Sequence, residues 1–211
     1  MKEYHKIQTV FKRDPDNKYK TLLLGQYSEP EFEYLAQNEW VFTEKVDGTN
    51  IRVMWDGQKI TYGGKTNNAQ IPQHLMNRLI GLFGESGGQF QEMFQDAQVC
   101  IYGEGYGAKI QKGGENYLSD SQDFVVFDIR IGDWWLQREN VSDIAIRLGL
   151  SVVPTIGWGV LDEMIVMAEK GFQSQWGDFL AEGIVARPST ELLSRNGRRI
   201  IAKIKYKDFA R

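Results

Sequence analysis

An α+β fold with mainly antiparallel sheet is what this sequence predicts, and three features predict it. Short runs rich in β-branched and aromatic residues recur along the chain. Asp-Gly pairs punctuate the first of them, as hairpin turns do. The amphipathic helical stretches stand apart from these runs, without the regular strand–helix alternation that builds a parallel sheet.

Taken in order, "WVFTEKV", "NIRVMWD" and "QKITYGG" read as three strands, joined by successive hairpins at Asp47–Gly48 and Asp56–Gly57. "PQHLMNRLIGLFG" reads as a helix with Leu75, Leu79 and Leu82 on one face and Gly84 near its end. "GGQFQEMFQ" adds a short helix, and "AQVCIYGE" is a strand. The polar, glycine-rich stretch Gly105–Gln122 is a loop long enough to suggest function or mobility. "DFVVFDIRI" is strongly β. "NVSDIAIRLG" is an amphipathic helix in which Asn140 can cap, Val141, Ile144, Ala145 and Leu148 form the stripe, and Gly149 stops the helix. "LSVVPTIGWG" returns to strand, "LDEMIVMAEKG" is a helix, and "AEGIVARP" and "RRIIAKIKYK" close the chain as two strands.

The 211 residues suffice for one domain with a real core, and no repeat or Pro/Ser-rich linker marks an internal boundary. The lone cysteine, Cys100, lies in an apolar strand and reads as a core residue; without a partner it points to an intracellular, cytoplasmic setting. His5 and His74 are too few and too far apart for a zinc cluster. No apolar run has the length of a signal peptide or a membrane span. The net charge of −3 is unevenly spread: residues 195–211 carry +6, and the remainder carries −9. That basic end suits a solvated face or a phosphate-gathering one.

Five local features carry chemistry. Lys45 stands at the lip of an apolar strand, and a lysine becomes nucleophilic only when desolvation or nearby cations strip its proton. Glu104 ends a strand between glycines, where a carboxylate can accept ribose hydroxyls. Phe127 shares a strand face with Val125 and Ile129, opposite Phe124, and either packs in the core or stacks on a purine. Glu182 heads an apolar strand, an unusual place for a carboxylate unless it pairs, caps or binds metal. Lys203 and Lys205 lie two apart, hence on one face of a strand, either in solvent or around an anion.

The motifs "KVDGTN", "YGEG", "VVFDI", "EGIV" and "KIK" occur in that order between Glu44 and Lys207. In this order they resemble the covalent nucleotidyltransferase superfamily of ATP-dependent ligases and capping enzymes. "EKVDGTN" is most similar to the RNA ligase 2 branch. The resemblance implies an adenylation domain of ATP-grasp-like ligase type, spanning residues 1–211 without a C-terminal OB-fold or helical domain. It implies that Lys45 takes AMP from ATP as a lysyl phosphoramidate, with Mg²⁺ or Mn²⁺. It further implies that Glu44 and Phe127 hold the adenine, the second by stacking, Glu104 binds the ribose, and Asn50 lies near the phosphates or a metal-bound water. Glu182 would hold the metal, with Asp47 or Glu104 as a second acid, and Lys203 and Lys205 would contact the α-phosphate.

Two letters depart from the branch. Asp47 replaces the frequent histidine and matches DNA ligases and capping enzymes. Lys65 stands where an arginine is usual, keeping the charge without the bidentate fork. The resemblance therefore implies a ligase of nucleic-acid ends, RNA in preference to DNA, contacting strands through its basic end and the Gly105–Gln122 loop. A minimal DNA ligase and a non-catalytic nucleotide- or RNA-binding module are the alternatives. The absence of recognisable further domains leaves three modes open: sealing alone, sealing with a helper protein or domain in trans, or sealing pre-adenylylated ends.

Overall fold

The computed structural model describes residues 3–84 and 87–209. Arg211, counted above in the basic end, lies outside them. In chain order the strands and helices are β1 (Gln8–Thr9), β2 (Phe11–Arg13), β3 (Leu22–Tyr27), α1 (Pro30–Tyr34), β4 (Trp40–Glu44), β5 (Thr49–Trp55), β6 (Ile60–Gly63), α2 (Gln73–Phe83) and α3 (Gly88–Phe94). There follow β7 (Val99–Gly107), β8 (Gln122–Ile131), β9 (Trp134–Trp135), α4 (Arg138–Arg147), β10 (Ser151–Val152), β11 (Thr155–Gly159), α5 (Leu161–Lys170), β12 (Gly183–Pro188) and β13 (Ala202–Lys205). The class is α+β and the pairing mainly antiparallel, as the sequence predicts, but β1 with β13 and β10 with β8 run parallel.

The chain forms two compact units. The first contains residues 3–4 and Asp47–Val153. Its sheet runs β10-β8-β7-β5-β6, with β9 on the edge of β8. One sheet face carries Ile51, Val53, Trp55, Ile101 and Phe124, packed in one core with Leu75, Leu79 and Phe83 of α2. Leu75 and Leu79 are fully buried, and each contributes about 1.5–3 kcal/mol by leaving water. The β5–β6 hairpin forms where expected, because the Asp56 Oδ1 accepts the backbone N–H groups of Gln58 at 3.0 Å and Lys59 at 2.9 Å.

β8 holds a bulge. Asp128 pairs with Tyr102 and Val126 with Gly103, so Phe127 is the extra residue. The bulge resets the alternation: Phe124, Val126 and Ile129 all join the core. Phe127 therefore lies opposite Phe124, as expected, but does not share its face with the core residue Ile129. Cys100 is buried, as read from sequence, and burial pushes its thiol up to about 11.

The second unit contains His5–Val46 and residues 154–209. Its sheet runs β1-β13-β12-β4-β11, with the ribbon β2–β3 beside it in sequence. Trp40, Phe42, Ile184 and Ile204 form its core with Leu161, Met164 and Ala168 of α5. The buried Trp40 indole donates to the Leu35 carbonyl at 2.9 Å.

Three further sequence expectations fail, each for a stated reason. No hairpin forms at Asp47–Gly48: β4 pairs with β11 and β12, while β5 pairs with β6 and β7. The chain passes from one unit to the other at Val46–Asp47, and Gly48 serves close approach instead of a turn. "LSVVPTIGWG" is two strands in different sheets, cut at Pro154, which lacks the N–H that would continue a ladder. Asn140 does not cap α4; the helix starts at Arg138 behind an extended Gln137, so Asn140 lies inside its first turn.

Phe124 fills the first unit's core and Phe127 does not. Urea unfolding should show Phe124→Ala costing about 3–5 kcal/mol, and Phe127→Ala clearly less. Equal losses would refute the two faces assigned to β8.

Candidate active site

Lys45 follows β4 directly, and its backbone still pairs with the second unit's sheet, donating to the Gly183 carbonyl at 2.9 Å. Gly183 in turn pairs with Lys205 across β12 and β13. Lys45, Gly183 and Lys205 thus stand in one cross-strand row. Neighbouring strands lie about 4.8 Å apart, so two long side chains on the flanking strands can reach one group between them.

That group is Glu182. Its Oε2 accepts the Lys45 ammonium at 2.6 Å, and its Oε1 accepts the Lys205 ammonium. The carboxylate is almost enclosed, at 8% side-chain exposure, while both lysines keep about a fifth of theirs. Its own backbone is pinned, because the Tyr206 N–H donates to its carbonyl at 3.0 Å. Gly183 permits the arrangement: a Cβ there would lie 2.7 Å from the Cα of Lys205 and collide with the Ile204 carbonyl. Lys203 is two residues before Lys205 and on the same strand face, beside Val185 and Thr43 in the register.

Burial pushes the Glu182 carboxyl upward, but the Lys45 and Lys205 ammoniums outweigh it and hold the group below its ordinary value of 4.5. Glu44 shows the reverse balance. Burial raises it above 4.5 despite hydrogen bonds from the Gln175 N–H at 2.8 Å and the Ser174 hydroxyl at 2.6 Å. Glu44 pairs in register with Ile184, on the core side of the strand, so neither of its oxygens faces the Lys45 row. It fastens the segment Ser174–Trp176, whose Trp176 N–H also donates to the Ser174 hydroxyl at 3.1 Å.

Sequence reasoning missed one support of this row. Asp208, 6% exposed, accepts the Lys205 backbone N–H at 3.0 Å and the Arg13 guanidinium at 2.7 Å. It fixes the turn after β13 that presents Lys205. Its place at the end of "KIKYKD" suggested only a solvated acid.

The other predicted residues lie in the first unit. Glu104 is half-buried on the sheet face away from α2, in register with Asn50 on one side and Val125 on the other. Gly48 approaches it closely: a Cβ on Gly48 would stand 2.8 Å from the Glu104 Cγ and collide with the Gly105 carbonyl. The Asp47 N–H donates to the Tyr117 hydroxyl at 3.1 Å. The Phe127 ring meets that of Tyr4 edge-on at 5.0 Å, and Tyr4 donates its hydroxyl to the buried Asp128 at 2.8 Å. Lys65 is exposed after β6.

Arg52, also missed, is only 1% exposed. It donates to the Gly64 carbonyl at 2.8 Å and to Asn67 at 3.0 Å. The alternation of "TNIRV" could have found it, since Arg52 shares the polar strand face of Asn50. Its Nη1 and the Asn50 Oδ1 are buried without a hydrogen-bond partner, an unusual condition that marks this face for a polar ligand.

Among the described residues no three His, Cys, Asp or Glu side chains converge as a metal cage. Mg²⁺ and Mn²⁺ do not require one when substrate phosphates and water complete the shell. A single carboxylate beside substrate phosphates would meet that requirement, and Glu182 could offer one if a lysine yields.

Because the native Glu182 pKa is depressed, its contribution to stability is full above 4.5 and disappears as pH falls through the native value. Glu182→Gln should cost about 2–4 kcal/mol at pH 7, since removing one partner strands buried charge. In thermal melts across pH 2–7 the gap between variant and wild type should close on the acid side. A gap independent of pH would refute the ionic origin.

The RNA ligase family matches residues 38–205. Solved structures of a Naegleria gruberi RNA ligase share the fold. An aspartate-to-alanine mutant without ligand is 16% identical, with a TM-score of 0.64, covering 98% of this chain and 58% of that one. A lysine-to-alanine mutant with ATP and Mn is 17% identical, with a TM-score of 0.65, covering 98% and 59%. A glutamate-to-alanine mutant with ATP and Mn is 20% identical, with a TM-score of 0.63, covering 83% and 52%. The chain thus spans little more than half the length of those ligases, and the likeness shows the fold. The family match, by contrast, covers most of the chain and contains Lys45, Glu182 and Lys205 in their shared row: this chain belongs to the RNA ligase family.

Proposed function

We propose that the protein is an ATP-dependent RNA ligase that works through AMP carried on Lys45. The observation that supports this reading above all is the convergence of Lys45 and Lys205 on Glu182. A lone surface lysine would need no such arrangement. The family match and the ATP, AMP and Mn bound in the Naegleria gruberi structures agree with it.

In the resting arrangement Lys45 is an ammonium held by a carboxylate, and a carboxylate favours the charged form of its partner. To react, Lys45 must turn from Glu182 and lose a proton. Lys205 shares the carboxylate, so Glu182 is not left unpaired when Lys45 departs. The Lys45 Nζ then attacks the α-phosphorus of ATP, the bond to the bridging oxygen breaks, and pyrophosphate leaves. Lys203 and Lys205 lie on one face, where they can offset the negative charge that develops on the α-phosphate oxygens. A bound Mg²⁺ or Mn²⁺, held by Glu182 with Asp47 as a second candidate, would supply charge neutralisation on the same phosphate. A 5′-phosphate next takes the AMP and releases Lys45, and a 3′-hydroxyl displaces AMP to close the strand.

The binding roles follow from placement. Glu104 and Asn50 are neighbours in register and suit ribose and phosphate oxygens. Phe127 offers a half-buried ring to the purine. Glu44, one residue before Lys45, is the candidate for the adenine, with its two oxygens here accepting from Ser174 and Gln175. Lys65, exposed after β6, is the candidate for strand contact. No helix among the described residues is long and apolar enough to cross a membrane, and a cytoplasmic setting suits the reading.

Incubation with ATP labelled at the α-phosphate and Mg²⁺ should label the protein. Lys45→Ala should abolish the label, while Lys59→Ala, in the β5–β6 hairpin, should retain it. A wild-type protein that takes no label, or a Lys45→Ala protein that does, would overturn the reading.

A further inference from the structure

The second unit holds a groove of about 690 Å³ between its N-terminal strands and β13. Lys6, Lys12, Arg13, Lys203 and Lys205 line it, and no described carboxylate does. It exists because β1 pairs in parallel with β13, Gln8 with Ala202 and Thr9 with Lys203. That pairing brings the cations of residues 6–13 beside the lysines of the candidate active site. Arg13 is paired with Asp208, and Lys205 with Glu182. Lys6 and Lys12 are exposed and form no ion pair among the described residues, so their charge is available to a ligand. Tyr19 also lines the groove, with 63% of its surface exposed. The Arg13 guanidinium donates to the Tyr19 carbonyl at 3.2 Å, holding the turn that displays the ring.

We propose that this groove binds the sugar–phosphate backbone of a single RNA strand and leads it to Lys203 and Lys205. The proposal rests on the ligase reading for its purpose, although the binding itself does not depend on catalysis. Positive charge along a channel with an exposed ring is the composition that single-stranded nucleic acid requires: cations follow the phosphates and an aromatic face accepts a base. The volume is in the range of pockets that hold whole small molecules, roughly 300–1,000 Å³, and exceeds what one phosphate group needs. Continuity with Lys203 and Lys205 ends the path at the reacting phosphate. Asp14 and Asp16, on either side of the lining residue Pro15, do not themselves line the groove.

The test uses the full chain and a fluorescent, 5′-phosphorylated single-stranded RNA of twelve nucleotides. Anisotropy is read across a salt series, with ATP labelling measured in parallel. The double variant Lys6→Glu, Lys12→Glu should bind this RNA at least tenfold more weakly. Each lost phosphate contact on a single strand lowers the salt slope by about 0.7, so the two together should lower it by about 1.4. Labelling of Lys45 by ATP, which involves no strand, should stay within about twofold. Lys6→Gln, Lys12→Gln should show a smaller loss in the same direction and guards against misfolding of the charge-reversed protein. RNA affinity within twofold of wild type, or no RNA binding by wild type, would overturn the proposal. So would a parallel loss of ATP labelling, or competition by inorganic pyrophosphate that matches RNA, since either assigns the groove to the triphosphate. Failure of wild type to label with ATP sinks the ligase reading alone and leaves the anisotropy result standing.

Discussion

A single carboxylate shared between two ammoniums organises this molecule's site. Glu182 accepts Lys45 on one oxygen and Lys205 on the other. Two like charges about 4 Å apart repel by about 4 kcal/mol at an effective dielectric near 20. The acid offsets that repulsion where the two lysines share one cross-strand row. The supports hold that arrangement in place. Gly183 lets β12 and β13 close, Tyr206 pins the Glu182 backbone, and Asp208 fixes the turn beyond Lys205. The same contact holds Lys45 in place as an ammonium, with Lys205 on the other oxygen of the acid.

The two buried glutamates of this region show how environment divides one side-chain type into two roles. Glu182 meets opposite charge and remains ionised below the ordinary range. Glu44, one residue from Lys45, meets only a hydroxyl and an amide, and burial dominates. The first acts on mobile ammoniums; the second fastens a loop. Strand alternation separates them, since adjacent residues of a strand must face opposite sides.

Much of this was legible from the sequence. Lys45, Glu182 and Lys205 were identifiable because strand context and motif order survive in one dimension. Their convergence was not, since Lys45 and Glu182 stand 137 residues apart. Local patterns misled where tertiary pairing took precedence. Asp47–Gly48 carries a hairpin signature, yet β4 finds its partner in β12, and the glycine is needed for contact with Gly105. Pro154 did announce the break in "LSVVPTIGWG", and the apolar run hid it. Arg52, Arg13 and Asp208 each look like surface charge in sequence and gain their partners only through the fold. The first unit's bulge at Phe127 has no signature in "DFVVFDIRI", because it arises from the partner strand's register.

The account depends on Glu182 being an ionised acid between two ammoniums, and carboxyl ¹³C NMR titration of that side chain tests it most directly. The predicted midpoint lies below the ordinary 4.5 and moves upward when Lys205 is replaced by methionine. A midpoint at or above 4.5, unmoved by Lys205→Met, would contradict it.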